Sequence, residues 1–248
     1  MANVLIAGGA TGIGLAALRA FRQRGDSVLL ADIDFEAANA AVREEGVGRA
    51  AAMHCDLAVP ANVLEAVAAA VDFGAGELDV VFSSAGLLRV APLEDWSLDD
   101  WDRTIAVNLR APFLLAQASA PHLKKSSIAS MIFTSSTGAY RGTAGAFAYS
   151  ASKAGLVNLV RALADELSPT GVRANCLCPG WVDTPFNDSF WSQQDDQIAA
   201  RTALEARIPM RRQGTPEDMV GAILYLGSDS SAYMTGQSII LDGGYSAV

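Results

Sequence analysis

The chain's 248 residues are enough to hide roughly three quarters of the unfolded surface without covalent staples. Their 51% apolar content is spread out, with no run approaching the ~18 residues of a membrane span. Lys plus Arg number 18 against 27 Asp plus Glu, a net charge of −9 that repels phosphate backbones and anionic lipid, so neither nucleic acid nor membrane is expected as a partner.

Short apolar, β-branched runs alternate with longer Ala-rich stretches, the pattern of βαβ units around a mostly parallel sheet. In chain order, strands are expected at 4–7, 28–31, 51–54, 78–82, 130–134, 172–177 and 238–241. Val4-Leu5-Ile6, Val28-Leu29-Leu30 and Val80-Val81-Phe82 are apolar throughout, which suits strands covered by helices on both faces. The first helix carries an apolar stripe at Ile13, Ala17, Ala20 and Phe21, spaced for one helical face. Further helices are expected near 36–45, 60–72, 97–120 and 149–167, the fourth of the series kinked or broken at Pro112. The last helix opens at Thr215-Pro216-Glu217-Asp218 with a hydroxyl N-cap, Pro at the first helical position and acids in the first turn. No repeat or linker interrupts the run. Residues 1–248 therefore read as one domain, with 185–212 a long aromatic and charged excursion before the last helix.

The first strand runs into Gly8-Gly9-Ala10-Thr11-Gly12-Ile13-Gly14. Such a turn lets backbone approach a pyrophosphate while the following helix points its free N–H groups at the charge. A glycine cluster alone is weak, since tight strand-to-helix turns use Gly for steric reasons. Asp32 strengthens it: it ends the second strand, eighteen residues beyond Gly14, where an acid can accept both hydroxyls of an adenosine ribose. A ribose 2′-phosphate there would meet Asp32 and Asp34 with no Lys or Arg in the turn to offset them, so NAD is expected over NADP.

Three Cys and two His supply neither a disulfide framework nor a metal set. Cys176-x-Cys178 is read as pointing to opposite faces of a strand, and His54 and His122 stand at no ligand spacing. With no cationic leader before Arg19, the expected location is the cytoplasm. Tyr149-Ser150-Ala151-Ser152-Lys153 puts a phenol and an ammonium side by side on one helical face. Lys occurs only at 124, 125 and 153, which makes a chance pairing rare. An adjacent ammonium favours the phenolate, so Tyr149 is a candidate proton carrier. Thr134-Ser135-Ser136-Thr137 brings hydroxyls to a strand end, where open α/β sheets bind ligands.

These features together resemble the short-chain dehydrogenase/reductase family in its common form of about 250 residues, from one end of the chain to the other. The resemblance implies a Rossmann-type doubly wound parallel sheet of about seven strands in a single domain. The family's glycine turn matches Gly8, Gly12 and Gly14, with Ile13 between them; its Tyr-x-x-x-Lys pair matches Tyr149 and Lys153; its catalytic serine matches Ser136 and its relay asparagine Asn108. The adenine-holding acid matches Asp56, followed by Leu57. The segment beside the nicotinamide matches Pro179, Gly180, Val182 and Thr184. Two departures stand out: Ala7 replaces the usual Thr, and the Asn-Asn-Ala-Gly segment is Ser83-Ser84-Ala85-Gly86, leaving Ser84, Ala85 and Gly86 to face the nicotinamide ribose.

By this resemblance the expected activity is hydride transfer between a secondary alcohol or ketone and NAD. Tyr149 exchanges the hydroxyl proton, Ser136 holds the substrate oxygen, Lys153 holds the ribose and lowers the tyrosine pKa, and Asn108 positions a water. Enoyl reductases of the family use a wider Tyr-to-Lys spacing, and that position here is Leu156, which disfavours double-bond reduction. The alternatives are reduction of 3-oxoacyl chains on a carrier protein, which usually draws on NADPH and a basic docking face, and a non-catalytic nucleotide-binding regulator. A homotetramer is expected from the family, through the helices near 97–120 and 149–167 and the last strand. For the substrate, Phe186, Phe190, Trp191, Trp181, Tyr140 and Phe147 are candidate apolar contacts. Arg89 and Arg141 are candidates for a substrate carboxylate, with solvated charge the plainer reading.

Overall fold

A computed structural model describes residues 1–248. Seven strands, β1 (Asn3–Ala7), β2 (Ser27–Asp32), β3 (Ala50–His54), β4 (Val80–Ser83), β5 (Ser130–Thr134), β6 (Arg173–Pro179) and β7 (Ser238–Leu241), form one sheet in the order β3-β2-β1-β4-β5-β6-β7. Every pairing is parallel. The helices are α1 (Gly12–Gln23), α2 (Phe35–Val42), α3 (Pro60–Phe73), α4 (Leu98–Ile105), α5 (Ala111–Leu123), α6 (Phe147–Leu167), α7 (Asp188–Trp191), α8 (Gln197–Arg207) and α9 (Pro216–Leu226).

The all-apolar strands are covered on both faces, as their composition requires. Leu5, Leu29 and Val81 pack with residues of α3, α5 and α6 such as Val67, Leu115 and Leu156. Their neighbours Val4, Val28 and Val80 pack on the other side with Leu18 and Phe21 of α1 and Ile223 of α9. Cys176 and Cys178 both fall in the first of these layers, while Leu177 lies in the second. This corrects the expectation of opposite faces, because residues two apart on a strand share a face.

The expected helix at 97–120 is interrupted as Pro112 demands. Between α4 and α5 the backbone widens into a π-helical turn, Ala106–Arg110. Pro112 has no N–H to give the Asn108 carbonyl, and insertion of a wider turn is how a helix absorbs that loss. The start of α9 carries a full capping box, with Thr215 N–H donating to Asp218 Oδ2 at 2.7 Å. The excursion at 185–212 is folded into α7 and α8 around a small core of Trp191, Leu204 and Ile208. No helix is long and apolar enough to cross a membrane.

Candidate active site

Strand order reverses between β1 and β4, and the crevice beyond their C-terminal ends is where open α/β sheets place ligands. A cavity of about 820 Å³ opens there. Gly8, Gly12, Ile13, Asp32, Asp56 and Leu57 line one end; Ser84, Ala85 and Gly86 line the middle, with Ser136, Tyr149 and Lys153 beside them. Pro179, Gly180, Val182 and Thr184 complete that wall. Of the glycine-turn, dinucleotide and catalytic residues singled out in the sequence, only Gly14 and Asn108 are not part of this lining. A Cβ on Gly14 would sit 2.2 Å from the Gly8 carbonyl oxygen, so this glycine lets α1 start directly against the turn.

At the β1–β2 end, the Asp32 carboxylate is turned onto the glycine turn. Its Oδ2 accepts from Gly9 N–H at 2.8 Å and Ala10 N–H at 2.9 Å, and its Oδ1 accepts from Asp34 N–H at 3.0 Å. Asp34 instead caps α2, accepting from Ala37 N–H at 3.0 Å. The first turn of α1 holds no acid, and Thr11 makes no side-chain cap, so its N–H groups are left for a ligand. Asp56 accepts from Ala58 N–H at 2.9 Å and lies 3.5 Å from Arg103. The Ser83-Ser84 replacement leaves the sheet intact, because backbone supports it: Ser84 and Ala85 N–H both donate to the Ala7 carbonyl, at 2.8 and 3.0 Å.

At the end of β5, Lys153 is 3% exposed and donates from Nζ to the Thr134 carbonyl at 2.8 Å. Its Nζ lies 5.6 Å from the Tyr149 ring centroid. Burial dominates both groups: the phenol is pushed up to about 12, with the Ser136 hydroxyl pulling the other way, and the ammonium is pushed down to about 8. Desolvation of the phenolate is the largest cause of the upward shift of Tyr149. Ser136 Oγ accepts from Gly138 N–H at 2.9 Å. A Cβ on Gly138 would stand 3.3 Å from both Ser136 Oγ and Tyr149 Cε1, so a bare Gly138 keeps the space between hydroxyl and phenol open; sequence reasoning missed it.

Asn108, 1% exposed, works as a brace. Its Oδ1 accepts from Leu87 N–H at 2.8 Å, and its Nδ2 donates to the Leu87 carbonyl at 2.9 Å and to Ser152 Oγ at 3.1 Å. Ser152 Oγ in turn donates to the Tyr149 carbonyl at 2.7 Å. Both amide hydrogens are thus committed, so the Asn108 side chain is occupied in bracing Leu87 and Ser152.

The excursion closes the far wall. Trp181, Phe190 and Trp191 stack with centroids 4.8 to 5.6 Å apart, and the Phe186 ring lies 6.0 Å from that of Tyr149. Ser189 Oγ donates to the Leu88 carbonyl at 3.1 Å and Gln193 Nε2 to that of Val90 at 2.5 Å, tying α7 across the mouth. Tyr140 and Phe147 do not line the cavity; Phe147 packs edge-on against Trp96. Arg89 is engaged elsewhere, 3.3 Å from Asp100 and donating to the Asp95 carbonyl. Arg141, Arg207 and Tyr245 do line it, the last two without any motif to announce them.

A family model described as enoyl-(acyl carrier protein) reductase matches residues 8–246. The chain is 35% identical over 241 residues to a 3-oxoacyl-[acyl-carrier-protein] reductase of Thermotoga maritima, spanning 97% of this chain and 96% of the relative. It is 34% identical to a D-threitol dehydrogenase of Mycolicibacterium smegmatis, over 97% and 91% of the two chains. The solved structure of levodione reductase matches with a TM-score of 0.93 at 27% identity, covering 99% of this chain and 97% of that one.

Proposed function

Because the chain belongs to the short-chain dehydrogenase/reductase family, whose members bind a nicotinamide dinucleotide, we propose that it is an NAD-dependent oxidoreductase interconverting a secondary alcohol and a ketone. The meeting of Tyr149, Ser136 and Lys153 on one cavity wall, with Gly138 keeping the gap between them open, carries this reading.

The residues present fit the dinucleotide. The uncapped first turn of α1 suits a pyrophosphate. Asp32 suits the ribose hydroxyls, and with the exposed Ile33 beside it and no cation turned toward it, it favours NAD over NADP. Ser84, Ala85 and Gly86, with Pro179, Gly180, Val182 and Thr184, would hold the nicotinamide half. The bound dinucleotide supplies a hydride acceptor in one direction and a donor in the other.

The chain's own task is to hold the substrate oxygen and move its proton. Ser136 Oγ holds that oxygen. Tyr149 takes the hydroxyl proton during oxidation and returns it during reduction, and a phenol raised to about 12 is protonated at neutral pH, ready to donate to a ketone. Lys153, at about 8, is still mainly an ammonium at pH 7 and can hold the ribose. The Asn108 carbonyl, without the α-helical donor that Pro112 lacks, is the group that would hold a water beside Lys153.

Carbonyl chemistry is favoured over the double-bond reduction named in the matching family description. Leu156 stands where the wider spacing would need lysine and is part of the core. Reduction of carrier-bound 3-oxoacyl chains, the activity of one relative, is the second reading; Asp32 and the net charge of −9 speak against it. We place the enzyme in the cytoplasm, where three buried free thiols are at home. For assembly we propose a homotetramer through α4 to α6 and β7, whose Ile240 is 43% exposed; a monomeric mass by light scattering would refute it.

The direct test is a panel of secondary alcohols, polyols and hydroxy acids with NAD and with NADP, followed by nicotinamide absorbance. Turnover of at least one alcohol with NAD is expected. No turnover of any alcohol or corresponding ketone, beside normal dinucleotide binding, would favour a regulator that keeps the fold without the chemistry.

A further inference from the structure

Charge around the cavity is sorted by sign. Asp32 and Asp56 stand beyond β2 and β3, and Arg103 is drawn to Asp56. Past β5, β6 and β7, the charged lining residues are Arg141, Lys153 and Arg207, with no carboxylate among them. This holds in a chain of net charge −9, so the sorting runs against the overall balance.

Lys153 is engaged by the Thr134 carbonyl. Arg141 and Arg207 have no such partner. Six other arginines of the chain lie within ion-pair distance of a carboxylate and five more donate to a main-chain carbonyl; Arg141 and Arg207, like the exposed Arg43 and Arg161 outside the cavity, do neither. Both guanidiniums instead lie against one ring, that of Tyr245, at 4.9 and 5.4 Å from its centroid. A ring quadrupole attracts each cation but does not cancel their mutual repulsion, which an anion seated between them would. Arg207 ends α8, where a cation also complements the helix dipole. Arg141, on the loop leading into α6, has no comparable local reason. Tyr245 packs on the cluster of Trp191, Leu204 and Ile208, so an apolar wall leads up to the two cations.

We propose that Arg141 and Arg207, gathered on Tyr245, form an anion subsite of the substrate pocket. The substrate is then a secondary alcohol or ketone with an apolar body and a terminal carboxylate. Guanidinium forks match carboxylates in bidentate fashion, and the aromatic wall of the excursion takes the body. The proposal rests on the oxidoreductase reading for the reacting centre, but the subsite itself is a binding claim and can be tested without turnover.

The probes are 3- and 4-hydroxycyclohexanecarboxylate and 3-hydroxy-3-phenylpropanoate, each beside its methyl ester. Binding to the protein with NAD is followed by tryptophan fluorescence, and turnover by absorbance. Wild-type protein should bind at least one acid ten-fold or more tighter than its ester, and where turnover occurs kcat/KM should show the same preference. In R141Q/R207Q the acid-to-ester ratio should collapse toward one. If the double variant is poorly folded by circular dichroism, R141Q alone, on an exposed loop, should give a partial collapse. Equal binding of acid and ester by wild type, no acid binding at millimolar concentration, or an unchanged ratio in a folded variant overturns the subsite. A collapsed binding ratio with no turnover of any probe or panel alcohol keeps the subsite and defeats the alcohol reading. Arginine variants that impair only a carrier-bound 3-oxoacyl substrate would reassign the two residues to protein docking and overturn the proposal.

Discussion

The two ends of the cavity are built in different ways. At the β1–β2 end most of the contacts are backbone: Gly8 to Gly14 form the turn, and the Asp32 carboxylate is bound to the N–H groups of Gly9 and Ala10. At the β5–β7 end the wall is collected from four separate segments, contributing Arg141, then Trp181 and Phe186, then Phe190, Trp191 and Arg207, and finally Tyr245. Its contacts are ring against ring and cation against ring. A backbone-built half is hard to vary without breaking its turn, whereas a side-chain-built half can be respecified one residue at a time. This is why a single fold can keep its cofactor and change its substrate.

Tyr149 stands where the two halves meet, and its removal should have the largest effect. Tyr149→Phe deletes one oxygen and leaves the dinucleotide end untouched. A positioned acid–base group is typically worth about 10² to 10⁴ in rate, roughly 3 to 5 kcal/mol of barrier. Turnover of a verified substrate should drop by at least that factor, while NAD affinity by fluorescence titration stays near wild type. Retention of more than about a tenth of kcat, with chemistry shown to be rate-limiting, would remove Tyr149 from the role.

Asp32 probes the backbone-built end. Like charges about 4 Å apart repel by about 4 kcal/mol at a surface-like dielectric, an upper limit once solvent screens them. Asp32→Asn keeps an acceptor for Gly9 and Ala10 but removes the charge, and should cut the NAD over NADP preference at least ten-fold. Asp32→Ala also strips the turn of its acceptor and should weaken NAD binding further. Titration of both dinucleotides against the three proteins separates the two effects. Wild-type protein that uses NADP as efficiently as NAD would contradict the assignment.

The same contrast governs how much was readable in the sequence. The seven strands lie close to their expected places because apolar runs buried on both faces leave a strong local signature, and Pro112 announced the break before α5. Asp32, Tyr149 and Lys153 were legible because their spacing follows from one turn and one helical face. The pairing of Arg207 with Tyr245 was not, since the two lie far apart in the chain and meet only after the excursion folds. Gly138 carried no signal either: a Cβ there would crowd Tyr149, eleven residues on, as well as Ser136, and that meeting arises only in the fold. The Tyr149–Lys153 proximity can be read from spacing, whereas the desolvation that raises the phenol cannot.

The smallest effect expected belongs to a single residue of the side-chain-built wall. Phe190 is half-buried and lines the cavity, 4.8 Å from the Trp181 ring and 5.0 Å from that of Trp191. Its neighbour Trp191 is 2% exposed and forms the excursion's own core, so Trp191→Ala would cost about 3 to 5 kcal/mol of packing and confound folding with binding. Phe190→Ala is the cleaner probe. It should raise KM about three- to ten-fold, equivalent to roughly 1 kcal/mol of lost contact, and leave kcat nearly unchanged, because the lost interaction is the same in ground and transition states. Circular dichroism guards against a folding defect. If KM for the best substrate is unchanged in a folded Phe190→Ala protein, α7 does not cover the substrate, and the side-chain-built half shrinks to Phe186 and the residues around Tyr245.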